Sequence, residues 1–155
     1  MSREQGVPPA GISVPGGSFV AGGRVSAQMV DGYVEKKILV ADDEQAITEL
    51  VAFALEMEGY LVIQAPDGPE ALRLTKLEHP DLAMVDIMMP GLDGREVSRR
   101  IKADPETADI PVLLFSAAPN PDLSQARADG FMPKPFDVTS LVDTVKRYVG
   151  GNGAE

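Results

Sequence analysis

Apolar residues in this chain gather into short unbroken runs, and four of these runs end on a polar side chain. Ile38-Leu39-Val40-Ala41 leads into Asp42-Asp43, and Leu82-Ala83-Met84-Val85 leads into Asp86. Val112-Leu113-Leu114-Phe115 leads into Ser116, and Phe131-Met132-Pro133 into Lys134-Pro135. A fifth run is Tyr60-Leu61-Val62-Ile63. Between them the spacing turns helical. Ile47, Leu50, Val51, Ala54 and Leu55 predict the core-facing stripe of a first helix that stops at Gly59. Gly68-Pro69 opens a second helix that reaches about Leu77, with proline suited to the first turn. Val97 and Ile101 mark a third. Asp137 is placed to cap a last helix with Val138, Leu141, Val142, Val145 and Tyr148 on one face. Continuous apolar strands alternating with helices predict an α/β fold, a parallel sheet covered on both faces and joined by right-handed crossovers. Such sheets place their ligand crevice beyond the C-terminal ends of the strands. If these strands are parallel neighbours, three acids, a hydroxyl and an amine converge there.

Residues 1–34 differ from the rest. They hold Gly6, Gly11, Gly16, Gly17, Gly22, Gly23 and Gly32, nearly half of the chain's 15 glycines, alongside Pro8, Pro9 and Pro15. Their apolar residues look scattered, too few to offset the entropy of ordering, so a disordered tail is expected. The folded domain is expected over 35–150 and a disordered end over 151–155. A chain of 155 residues suits one domain. It has no cysteine, which excludes disulfides, thiol catalysis and a cysteine-ligated zinc site. The net charge of −10 argues against non-specific binding to nucleic acid. No apolar run reaches the roughly 18 residues that a membrane helix needs. A cytoplasmic protein is expected. His79, the only histidine, excludes a histidine-rich metal site and a Ser-His-Asp triad.

The acidic pair Asp42-Asp43, then Asp86, Ser116 and Lys134-Pro135-Phe136, resembles in order and spacing the receiver domain of two-component response regulators, over roughly residues 36–149. The resemblance implies a flavodoxin-like, doubly wound, five-stranded parallel sheet of order 2-1-3-4-5. It implies that Asp86 accepts a phosphoryl group, with Lys134 and Ser116 binding the phosphoryl oxygens. Mg²⁺ would be held by Asp42, Asp43, Asp86 and the backbone carbonyl of Met88, in keeping with its preference for oxygen ligands. A cis bond is implied at Lys134-Pro135. Ser116 and Phe131 fall on the family's switch positions, although Phe131 also suits a plain core aromatic.

The partners implied are a histidine kinase or phosphotransfer protein and a downstream protein of unknown identity, without nucleic acid or membrane. Only Gly150 to Glu155 follow the last predicted helix, so a stand-alone regulator is expected. It is no enzyme beyond self-catalysed phosphoryl transfer to Asp86 and loss of that group. Ser116 and Lys134 stand about four residues closer together than is usual in the family. The fourth helix should therefore be shortened to about one turn near Ser124 to Arg127, and a monomer is expected. A pseudo-receiver that works without phosphorylation is the alternative, disfavoured by the complete acid set. A haloacid-dehalogenase-type hydrolase would need an Asp where Met88 stands.

Overall fold

The computed structural model describes residues 35–150 and, ahead of them, the backbone of four short strands: β1 (Ile12–Val14), β2 (Ser18–Val20), β3 (Met29–Val30) and β4 (Tyr33–Val34). Beyond them lie β5 (Lys37–Ala41), α1 (Gln45–Glu56), β6 (Leu61–Ala65), α2 (Gly68–Glu78), β7 (Leu82–Asp86), α3 (Gly94–Ala103), β8 (Val112–Ser116), β9 (Gly130–Pro133) and α4 (Val138–Val149). The five long apolar runs form parallel strands in the order β6-β5-β7-β8-β9, which is the second-first-third-fourth-fifth order expected.

β5, β6, β7 and β8 are buried on both sides, which explains their unbroken apolar runs, while the edge strand β9 is only partly buried. Along β5, Ile38 and Val40 face one core, shared with Val51 and Leu55 of α1 and Leu141 and Val145 of α4. Leu39 and Ala41 face the other core, shared with Ala71 and Leu74 of α2 and Val97 and Ile101 of α3. The period-two alternation of a strand thus feeds two helix layers. Asp67, Asp93 and Asp137 cap α2, α3 and α4, accepting the backbone N–H of Glu70, Arg95 and Ser140 at 2.9, 2.7 and 2.7 Å.

One expectation is corrected. Leu50 is not part of the core stripe: it is 46% exposed, and with Phe53 and Met57 it forms an outward ridge on α1. Thr48 and Ala52 are buried instead, so the buried arc is rotated about the helix axis. The fourth helix is shortened as expected: between β8 and β9 a single turn stands at Ser124–Ala126. Its covering role passes to Ala126, 1% exposed, with Leu123 and Ala128 beside it on the core. Polar ties hold the segment: Arg95 Nη1 donates to the Asp122 carbonyl at 3.2 Å, and Lys102 Nζ lies 2.7 Å from an Asp129 oxygen that also accepts the Val112 N–H.

Within residues 1–34 the structure describes four short strands. β1 pairs antiparallel with β6, matching Ile12 with Ile63 and Ser13 with Val62, and β2 pairs with β1. β3 and β4 form a separate two-stranded piece. The unpaired backbone groups along β6 give β1 a ladder to join. The rest of 1–34, and the expected disorder of 151–155, lie outside the described residues.

One glycine ties the helix layer to the ends of the strands. Gly94, the first residue of α3, donates its N–H to the Ile87 carbonyl at 2.8 Å, and a Cβ there would stand 2.1 Å from the Asp86 carbonyl oxygen. The helix therefore starts directly against the backbone of Asp86. Gly94→Ala is expected to cost about 1–3 kcal/mol of stability. A urea midpoint equal to that of the wild type would show that the contact is softer than its geometry.

Candidate functional site

Parallel strands bring Asp42, Asp86, Ser116 and Lys134 to one end of the sheet. Asp42 directly follows β5, Asp86 ends β7, Ser116 ends β8 and Lys134 follows β9. Main-chain bonds fix their spacing, with Ile87 N–H on the Phe115 carbonyl at 2.9 Å and Lys134 N–H on the Ser116 carbonyl at 2.8 Å. Asp42 and Asp86 are 1% and 4% exposed, while Asp43 stands in solvent. Carboxylate oxygens of all three lie within 4.8 Å of one another. A recess of about 270 Å³, lined in part by Asp42, Asp43, Gln45 and Gln64, opens beside them.

The positive charge in this cluster is Lys134. Its Nζ lies 2.8 Å from Asp42 Oδ2, 3.6 Å from Asp86 Oδ1 and 3.7 Å from Glu44 Oε1, above the Phe115 ring with 5.2 Å to the centroid. The Lys134-Pro135 peptide is cis. Burial works against the ammonium, but the hydrogen bond and charge of Asp42, helped by Asp86 and Glu44, leave its pKa above the ordinary lysine value. Burial, then the charge of Asp42, pushes Asp86 up to about 6 despite Lys134.

The hydroxyl of Ser116, 1% exposed, accepts the Ala118 N–H at 3.0 Å and keeps its own proton free to donate. Met88 follows in the loop after Asp86 with its side chain turned to solvent, 64% exposed. Phe131 is half-buried on β9 and packs against the core on the α2 and α3 side of the sheet. His79 is exposed and bonds the Glu106 carbonyl, away from the acids. Glu44 was missed by sequence reasoning, because an acid beside an acidic pair reads as ordinary surface and its contact comes from the far end of the chain.

The donor set suits a hard divalent cation. Three carboxylates converge, two of them are withdrawn from water, and their repulsion is only partly relieved by one ammonium.

The chain belongs to the response regulator receiver domain family, which it matches over residues 38–146. It is 43% identical over 114 residues to the DNA-binding dual master transcriptional regulator RpaA of Synechocystis sp., covering 71% of this chain and 47% of that protein. The chain thus spans about half the length of that relative, which lends the stand-alone reading no support. Among solved structures, the chemotaxis response regulator CheY4 of Vibrio cholerae aligns at 29% identity and TM-score 0.69, over 74% of this chain and 98% of that one. The receiver domain of sensor histidine kinase PA1611 from Pseudomonas aeruginosa, described with a magnesium ion in its active-site cleft, aligns at 25% identity and TM-score 0.70, over 76% and 99%. Among the described residues no helix is long and apolar enough to cross a membrane.

An acid whose pKa rises on folding favours the native state while protonated. The contribution of Asp86 is complete below about pH 4 and is lost as pH rises through about 6. Metal-free wild type should therefore lose on the order of 2–3 kcal/mol relative to Asp86→Asn as pH climbs through that window. Mg²⁺ at a hundredfold excess over its dissociation constant should restore about 2.7 kcal/mol at neutral pH, and Asp43→Ala should blunt that response. Parallel stability curves for the two proteins from pH 4 to 7, or melting indifferent to millimolar Mg²⁺, would contradict this account of the site.

Proposed function

We propose that this chain is a phosphorylation switch in which Asp86 accepts a phosphoryl group from a histidine kinase or phosphotransfer protein. The observation that carries this reading is the meeting of Asp42, Asp86 and Lys134 within 3.6 Å in a water-poor pocket at the strand ends. A carboxylate oxygen of Asp86 forms the new O–P bond in line as the phosphorus–nitrogen bond to the donor histidine breaks, and the electron pair stays on that nitrogen. With its pKa near 6, Asp86 is ionised at neutral pH and available to attack.

Asp42, Asp43 and Asp86, joined by the Met88 backbone carbonyl, would hold Mg²⁺, which when bound neutralises charge on the phosphoryl oxygens. Lys134 exchanges its bond to Asp42 for one to a phosphoryl oxygen, and Ser116 turns its free proton to another. Ser116 is the last residue of β8 and Phe131 lies on the neighbouring strand, so movement of the hydroxyl alters the space beside the ring. The rearranged surface then meets a downstream protein.

The chain supplies the transfer and the later loss of the phosphoryl group from its own residues and turns over no other substrate. It works as a cytoplasmic monomer, consistent with a face whose helix is shortened to one turn. The full acid set gives a phosphorylation-independent module no support.

Incubation with acetyl phosphate and Mg²⁺ should add one phosphoryl group, seen by intact-mass spectrometry. Asp86→Asn should abolish the addition and Lys134→Ala should leave the phosphorylated form without its response. Equal modification of wild type and Asp86→Asn would remove Asp86 from this role.

A further inference from the structure

Glu44 occupies the cap position of α1, yet its side chain does not cap the helix. The other three helices begin with Asp side chains that each accept a backbone N–H. Glutamate is outside the group of residues favoured at this position, so the local rule is broken here, as happens where a site takes precedence over its scaffold. The Glu44 carboxylate points instead to Lys134, with Oε1 3.7 Å from Nζ. Its backbone N–H donates to Asp42 Oδ1 at 2.9 Å, which leaves Asp42 Oδ2 to the same ammonium. Glu44 thus sets Asp42 with its main chain and offers Lys134 a third carboxylate, after those of Asp42 and Asp86, at the rim. That side chain is 66% exposed where those of Asp42 and Asp86 are buried, so it is the solvent-side member of the set.

We propose that Glu44 is a positioning residue that divides the site's affinity between its two ligands, favouring the cation and opposing the anion. The proposal rests on the phosphoacceptor reading of Asp86. A negative charge at the mouth strengthens binding of a divalent cation to the acids. The same charge repels an incoming phosphoryl dianion and competes for Lys134, the ammonium that the dianion must recruit. Glu44 therefore biases the order of events: the metal settles first, and a phosphoryl group is retained only when the metal's charge outweighs the rim carboxylate. No side chain inside the pocket could do this without becoming a ligand itself.

The test is two titrations of the full chain, by calorimetry or by amide NMR. Mg²⁺ is titrated alone, and beryllofluoride, a phosphoryl mimic, is titrated at saturating Mg²⁺. Glu44→Gln should weaken Mg²⁺ about two- to fivefold and tighten beryllofluoride by a similar factor, the scale of one screened surface charge. High salt should shrink both differences. Glu44→Asn adds a side chain that caps helices well, so it should raise the melting temperature while showing the same opposed shifts. A purely structural role would move both affinities in one direction, following stability. Unchanged affinities, or two shifts of the same sign, overturn the assignment of Glu44 alone. Wild-type protein that takes up no beryllofluoride overturns both this assignment and the phosphoacceptor reading beneath it.

Discussion

Two carboxylates taken out of water within a few ångströms of each other cannot both stay ionised without a compensating positive charge. In this protein Asp42 and Asp86 are nearly inaccessible, and Lys134 is the group that makes their burial tolerable. Much of the architecture serves that juxtaposition. The crossover connections let β5, β7 and β9 run in the same direction and end together. The backbone bond from Lys134 N–H to the Ser116 carbonyl sets the height of the ammonium. Gly94 lets α3 begin in contact with Asp86, so the loop carrying the acid is fixed at both ends.

The charges of the pocket do not cancel. One ammonium faces three acids and Glu44, so the pocket keeps excess negative charge, and burial, then the charge of Asp42, leaves Asp86 easier to protonate than an ordinary aspartate. A site whose charges were already paired would have little reason to take up a cation or exchange a lysine contact. The residual imbalance gives the pocket its chemistry, and the rigid sheet below prevents the acids from relaxing apart.

Much of this was legible in the sequence, for a physical reason. Parallel strands buried on both faces must be apolar throughout, so their ends are marked sharply where Asp42, Asp86, Ser116 and Lys134 interrupt the run. The five-stranded order and the family followed from that set. Helix faces were less legible: the periodicity located α1 but could not fix its rotation, and Leu50 fell on the wrong side because Thr48 and Ala52 are small enough to sit against the sheet. The β1–β2 hairpin was overlooked although Ile12-Ser13-Val14 and Ser18-Phe19-Val20 alternate around Pro15-Gly16-Gly17. Three residues per strand make a weak pattern inside a glycine-rich stretch. The prolines and the reduced spacing did mark the shortened helix. The ties from Arg95 and Lys102 that hold the segment in its place depend on contacts distant in sequence, which no local pattern records.

The hairpin also changes how the sheet meets its neighbours in solution. Without it the rim on that side would be β6, five residues long with a row of open amides and carbonyls, the kind of border along which copies of a protein can stack. With it, the outermost described strand is β2, only three residues long. The opposite border, β9, is four residues long and ends on Pro133, which has no N–H to offer. Both rims of the described sheet are thus short. At the high local concentrations that signalling proteins reach beside their partners, such borders discourage ribbon-like growth while leaving the faces free for recognition.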